Sequence, residues 1–245
     1  RNKTGKIATT ILNIEQLAYK MAGESFTVRG KISDFENYAY DMSIKGSVDL
    51  GRLTSIYAID DWKLSGKVSC DLELKGKISD LKKGLYDKTE AIGYFQFQNL
   101  TIDGRRLPQA LVVSNGKIKV SPETLFLEDV NVRTGHSRLK FAGEMQDYFC
   151  FFKDDGDLVT STLKLDADTV DLNEWKLAFV SIDRDAPSVV DTSTTKHSAW
   201  QVPRSIDFHF DSDIKFLQYE DMRISDLLGE IIIKDGVMSM KETGF

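Results

Sequence analysis

Hydrophobic and polar residues alternate one by one along much of this chain. From position 67 to 78 the even sites carry Val68, Cys70, Leu72, Leu74, Gly76 and Ile78, and the odd sites carry Lys67, Ser69, Asp71, Glu73, Lys75 and Lys77. Successive side chains of a strand point to opposite faces, so this stretch predicts a strand with one apolar and one wet face. A helix would scatter the same residues around its circumference. The pattern recurs where Phe26, Val28, Gly30 and Ile32 alternate with Ser25, Thr27, Arg29 and Lys31. Tyr38, Tyr40, Met42, Ile44, Gly46, Val48 and Leu50 alternate with Ala39, Asp41, Ser43, Lys45, Ser47 and Asp49. Leu163, Leu165 and Ala167 alternate with Thr162, Lys164, Asp166 and Asp168, and Ile206, Phe208, Phe210, Ile214 and Phe216 with Asp207, His209, Asp211, Asp213 and Lys215. Several runs are far longer than the usual strand of about five or six residues. One-sided alternation favours an antiparallel sheet with one solvated face, and only Pro108, Pro122, Pro187 and Pro203 interrupt it.

Helical signals are short: 51–58, 79–87 and 171–179, with Ser79 and Asp171 as N-cap residues for the last two. They fall between strand groups, where they would plug the end of a sheet. A Gly-Lys-[Ile/Val]-Ser core recurs at Gly30, Gly66 and Gly76, with a looser copy at Gly46. Glycine in the apolar register of a long strand marks a bend, a bulge or the close approach of another backbone. Recurrent glycines on the apolar face would let a long sheet coil around that face. Periodicity is lost over 183–203, where Ser, Thr, Asp and Pro cluster, which predicts a long loop or linker.

Composition narrows the class. The 245 residues are 41% apolar, 10% aromatic and 29% charged, which excludes wholesale disorder. A net charge of −6 argues against a nucleic-acid binder or a polybasic membrane-surface module. No apolar run approaches the ~18 residues of a membrane-spanning helix; the longest are 149–152 and 110–113. The chain opens Arg1-Asn2-Lys3-Thr4 and stops at Lys241-Glu242-Thr243-Gly244-Phe245, directly after a strand-like stretch, and so reads as a fragment of a longer protein. Cys70 and Cys150 are too few for a disulfide framework. They are either two small buried hydrophobes or, in an oxidising compartment, a pair, and the sequence leaves both open.

Catalytic signals are missing. His136, His197 and His209 have no neighbours at metal-ligand spacing, and no nucleophile elbow, zinc-protease, Walker or dinucleotide motif is present. Asp154-Asp155-Gly156-Asp157 lacks the alternating ligands and closing Glu of a calcium loop and suits a polar hairpin turn. Asp166, Asp168 and Asp171 fit a solvated strand face better than an acid/base pair. Asn99-Leu100-Thr101 matches a glycosylation triplet that is common by chance. Basic and aromatic residues do not interleave, so base stacking on a single strand is unsupported. The expectation is a protein without catalytic residues, metal or cofactor.

Several segments resemble the AsmA-like family. They include 64–79 and Leu127-Glu128-Asp129-Val130-Asn131-Val132 followed by 137–143. The stretch 163–175 resembles the family's strand running into a short helix, and 206–210, 227–231 and 234–240 resemble its C-terminal style. The resemblance implies a mainly β fold: a long, strongly curved antiparallel sheet folded like a taco, with a few short helices and an apolar concave groove. On that basis 1–182 is a first groove segment, 183–203 a linker or long loop, and 204–245 the truncated start of a further β segment. The resemblance further implies a periplasmic protein of the Gram-negative envelope, held at the inner membrane by a segment outside this chain. Its partners would be phospholipid, the two membranes, and other envelope proteins.

Moving an acyl chain through water costs ~0.8 kcal/mol per exposed CH₂, so a sixteen-carbon chain faces on the order of 10 kcal/mol. A continuous apolar trough would remove most of that while the headgroup stays wet. The residues expected to line it are Tyr40, Met42, Ile44, Val68, Cys70, Leu72, Leu74, Phe208 and Phe210. The opposing expectation for each is a closed core, and an aspartate at Leu72 separates the two: an open groove keeps its fold, a sealed core loses it. A rival reading is a periplasmic scaffold that assists outer-membrane protein assembly through exposed strand edges or the wet face. A carbohydrate-binding β-domain would have only Trp62, Trp175 and Trp200 as stacking platforms.

Overall fold

The computed structural model describes residues 2, 5–21, 23–56, 62–104, 107, 109–152, 158–174 and 206–244. They form one twelve-stranded curved sheet that does not close on itself. In chain order the strands are β1 (Ile11–Met21), β2 (Glu24–Ser33), β3 (Ala39–Asp49), β4 (Trp62–Lys77), β5 (Glu90–Gly104) and β6 (Leu111–Val120). They continue as β7 (Thr124–Thr134), β8 (Ser137–Gln146), β9 (Val159–Asp171), β10 (Ile206–Tyr219), β11 (Met222–Lys234) and β12 (Val237–Gly244). Each strand hydrogen-bonds to the next in sequence, so no connection crosses another. Every pairing is antiparallel except β9 with β10, which run parallel. Residues 206–244 therefore extend the same sheet as the segment before them; the expected linker at 183–203 lies outside the described residues.

The alternation read from the sequence becomes one continuous apolar face. In the β3–β4 register Met42 faces Leu74, Ile44 faces Leu72, Gly46 faces Cys70 and Val48 faces Val68. Phe95 and Phe97 on β5 continue this row beside Cys70 and Val68. The opposite face carries Lys45, Asp71, Glu73 and Lys75. Two of the apolar-register glycines show why that residue type is required. Gly46 has φ +142°, and a Cβ there would lie 2.1 Å from the Ser25 carbonyl oxygen. Gly30 has φ +143°, and its Cβ would lie 2.2 Å from the Asp41 carbonyl oxygen. Neighbouring backbones thus close in on the apolar side, as the recurrent glycines predict. The repeated motif does not mark equivalent positions, however: Gly66 sits at a bulge, and Gly76 lies beneath the Tyr40 ring.

A band of β-bulges crosses the sheet. The register slips at Gly66 on β4, around Ser114 on β6, around Asp129 on β7 and near Asp168 on β9. Asn99 (φ 49°), Asp129 (φ 47°) and Asp226 (φ 53°) occupy the left-handed region that Asn and Asp tolerate best among residues with a side chain. Each extra residue shifts the alternation by one, so the buried residues on β9 go from Ala167 to Val170 and on β10 from Ile214 to Leu217. This overturns the expectation for Phe216. It falls on the polar face, 39% exposed, with the Arg223 guanidinium 4.6 Å from its ring centroid.

Short helices occupy the strand connections. α1 (Leu50–Ile56) joins β3 to β4, and α2 (Ile78–Leu81) follows β4. Leu50 packs beside Val68, Phe97 and Ile102 at one end of the apolar face. At the other end the 3-10 turn Tyr148–Phe152 sets Tyr148 and Phe149 against Leu74, Phe95, Ala91 and Val120. Of the helical segments expected to plug the sheet ends, α1 does so, while the plug at the other end is the 3-10 turn 148–152, which was not among them. Ser79 is not an N-cap: it lies inside α2, and the first-turn amides of Ile78 and Ser79 donate instead to the carbonyls of Tyr38 and Asn37. Asp171 does cap, its Oδ1 accepting from Asn173 N–H at 2.9 Å.

The close backbone approach at Gly46 makes a direct prediction. Gly46→Ala lowers the urea midpoint by an amount equivalent to about 2 kcal/mol, because φ > 0 and a backbone clash combine. Gly51→Ala in α1, where no positive φ is required, leaves the midpoint unchanged or raises it.

Candidate functional site

The apolar face gathers seven of the nine residues expected to line a groove. Tyr40, Met42 and Ile44 on β3 sit beside Val68, Cys70, Leu72 and Leu74 on β4, all with side chains on one side. Phe208 and Phe210 share that face but lie on β10, across five intervening strands. Their rings meet edge-on at 6.0 Å, and Phe210 also contacts Phe141 of β8 at 6.4 Å. The nine residues therefore form two patches of one surface.

The two patches differ in how far the protein's own side chains fill the space. Around Phe210, Leu165, Ala167, Ile214, Leu217 and Leu227 form a closed cluster in which Ile214 and Leu227 are 1% exposed. On β1, by contrast, Leu12, Leu17 and Tyr19 remain 47%, 60% and 40% exposed. Met42, Ile44, Val68, Cys70 and Leu74 are half-buried, while Leu72 is buried. Leu72 thus belongs to core, so an aspartate there tests folding and not access; Ile44, its register partner, is the better probe. Tyr40 has a structural duty as well, its hydroxyl lying 3.3 Å from Thr89 Oγ1. Burial, then the neighbouring Asp71 charge, raise the Cys70 thiol, which keeps it protonated and apolar. Cys70 and Cys150 are both thiols.

The other face is charged and largely self-neutralising. Cross-strand pairs join Lys45 to Asp71, Lys140 to Asp129, Lys215 to Asp168 and Lys234 to Asp207. The Lys234 hydrogen bond holds Asp207 below the usual carboxylate range despite burial acting the other way. His209 lies between Asp207 (3.1 Å) and Glu230 (3.0 Å), on the wet face as its register predicts.

Sequence reasoning missed Phe95, Phe97, Ile118, Leu127 and Phe141 on the apolar face, because bulges break the alternation in their neighbourhood. It also missed a meeting of His136, Asp171 and Glu174, whose ligand-type atoms lie within 4.8 Å of one another. This is the one such grouping among the described residues. Both Glu174 oxygens accept from His136 N–H (3.0 and 3.1 Å), and Oε1 also lies 2.7 Å from His136 Nδ1. Burial acts to raise the Glu174 carboxyl, but hydrogen bonds from His136 and Gln109 outweigh it and hold it low. With its oxygens so engaged, the group latches the 172–174 turn onto the β7–β8 hairpin.

The chain matches no protein-family model, no curated protein and no solved structure.

The plug at the β4–β9 end carries its own titration. Tyr148 donates its hydroxyl to the Ser121 carbonyl at 3.1 Å, and burial pushes it up to about 12. A group protonated more strongly when folded stabilises fully below its unfolded value near 10 and loses that contribution as pH rises from about 10 to about 12. Tyr148→Phe therefore loses about 1 kcal/mol at neutral pH but falls less steeply than the parent above pH 10, as thermal unfolding across that interval will show.

Proposed function

We propose that this chain is a non-enzymatic carrier surface that holds phospholipid acyl chains against the open part of its apolar face, as the AsmA-like resemblance suggests. On this reading it serves outer-membrane assembly in the periplasm of a Gram-negative envelope, anchored to the inner membrane by a segment outside the chain. One observation carries the reading: a single curved sheet turns most of its apolar side chains to one side, and that side is filled at β9–β11 yet accessible at β1–β4. A ten-residue strand spans ~33 Å, more than the length of a sixteen-carbon chain. The seat is Met42, Ile44, Val68, Cys70 and Leu74, with Leu12, Leu17 and Tyr19 at the edge. Such a surface grips by burial alone and discriminates little between chains, which agrees with a seat of Met42, Ile44, Val68, Cys70 and Leu74, none of which carries a charged or amide group.

Native mass spectrometry of the purified chain tests this, with phospholipid adducts as the expected result. Ile44→Asp places a charge in the half-buried seat; it should keep the far-ultraviolet dichroism of the parent and reduce binding of a fluorescent phospholipid at least about tenfold, since an unpaired carboxylate is strongly disfavoured beside an acyl chain. A folded Ile44→Asp protein that binds as well as the parent removes the groove from consideration. Absence of lipid together with a co-purified envelope protein favours the scaffold reading instead.

A further inference from the structure

On the polar face, cations are matched to partners with some regularity. Each of the lysines Lys45, Lys67, Lys140, Lys215 and Lys234 reaches a carboxylate on another strand or, for Lys140, a bulge carboxylate. Three of the five described arginines also have partners: Arg29 donates to Gln16, Arg52 pairs with Asp49, and Arg223 lies over Phe216. Arg133 and Arg138 stand apart: among the described residues neither side chain makes a hydrogen bond, a close ion pair or a ring contact, although the Arg138 charge acts at longer range on Asp168.

Their placement makes this more than ordinary surface charge. Arg133 on β7 and Arg138 on β8 are register partners, directly opposite one another on the polar face. Directly opposed like charges on adjacent strands repel, and the pair gains by receiving an anion between them. Both line an open hollow of about 570 Å³ where the band of bulges bends the sheet, together with Asn99, Ser114, Lys140 and Asp168. The lining carboxylates have closer partners than the arginines: Asp168 is held by Lys215 at 2.5 Å with the Arg138 charge adding to its field, Asp166 by Lys164 at 3.1 Å, and Asp213 shares the field of the same Lys215. Lys140 is likewise engaged, by Asp129 at 2.7 Å. The lining cations Arg133, Arg138, Lys140 and Lys215 outnumber Asp166, Asp168 and Asp213 by one positive charge, and the two guanidiniums are the cations among them with no close ion pair.

We propose that Arg133 and Arg138 clamp an oxyanion of the phosphate class in this hollow, on the face opposite the apolar one. A guanidinium offers parallel N–H donors in a planar fork. One fork satisfies both oxygens of a carboxylate, whereas a phosphate has acceptor oxygens enough for two forks arriving from adjacent strands. The Asn99 amide and Ser114 hydroxyl add neutral donors on the β5–β6 side of the hollow. The site is independent of acyl-chain binding, since it uses the other face of the sheet. Its phosphate belongs either to a small solute or to a lipid headgroup at a membrane surface.

Isothermal titration of the full chain with inorganic phosphate, at fixed ionic strength, reads the site directly. The expected result is saturable binding that weakens about tenfold in Arg133→Gln and in Arg138→Gln, the loss of one charge-assisted fork. Arg133→Lys keeps the charge and removes the fork, and should also weaken binding several-fold, whereas Lys45→Gln should not change it. All three positions are exposed, so the four variants keep the parent's melting temperature in phosphate-free buffer. Flotation with phosphatidylglycerol vesicles against phosphatidylcholine vesicles then assigns the source: arginine-dependent capture by the anionic vesicles points to a headgroup, and solute binding without capture points to a soluble phosphate. Phosphate binding that is undetectable, or equal in parent and both glutamine variants, overturns the clamp.

Discussion

A sheet with one apolar face must cover that face, and among the described residues no second layer of sheet and no long helix does so. The whole architecture follows from this constraint. Without a partner layer, apolar side chains are shielded by one another, and the sheet has to curve toward them until they meet. The side chains of β8–β11 meet in this way, bringing Leu139, Leu165, Ile214 and Leu227 into one buried cluster. At β1–β3 no described residue reaches full burial, although the same alternation is present. The constraint is therefore satisfied at one end of the sheet and left partly unsatisfied at the other.

Two backbone devices let so long a sheet bend. Glycines such as Gly30 and Gly46 admit a neighbouring carbonyl into the space a Cβ would take. The bulges, held by Asn99, Asp129 and Asp226 in left-handed conformations, bend the strands and raise their twist along a band. The same band that bends the sheet opens the polar-side hollow around Arg133 and Arg138. Shape on one face thus has a consequence on the other, because a single layer cannot curve one surface alone.

The legible part of this fold was its period. Where a strand keeps one register with its face, as in β2, β3 and the part of β4 beyond Gly66, alternation identified both the strand and the side each residue takes. Where a bulge intervenes, as in β5, β6 and β7, the apolar residues change parity partway and the local pattern dissolves. Phe216 was misassigned for that reason, lying just past the shift on β10. Other features have no local signal at all. The parallel β9–β10 pairing reads the same as an antiparallel one, and Glu174 meets His136 across 38 positions. Membership of the apolar face was visible for all nine candidate lining residues; openness was not, because it depends on how far the sheet curls, which is a property of all its strands together.

That distinction also decides where a guest is able to sit. At β9–β11 an acyl chain would have to displace side chains such as Ile214 and Leu227, each of whose burial contributes roughly 1.5–3 kcal/mol. Opening that cluster would consume much of what the chain's own burial returns. At β1–β3 no described residue is fully buried, and Leu12, Leu17 and Tyr19 are already in contact with solvent, so on the proposed reading a guest would cover them along with itself. The gain there is counted on both surfaces and opposed by no repacking. The same physics that makes the C-terminal strands a core would make the N-terminal strands the seat on the proposed reading, and the passage from filled to accessible surface runs through the half-buried row of Ile44, Cys70 and Leu74.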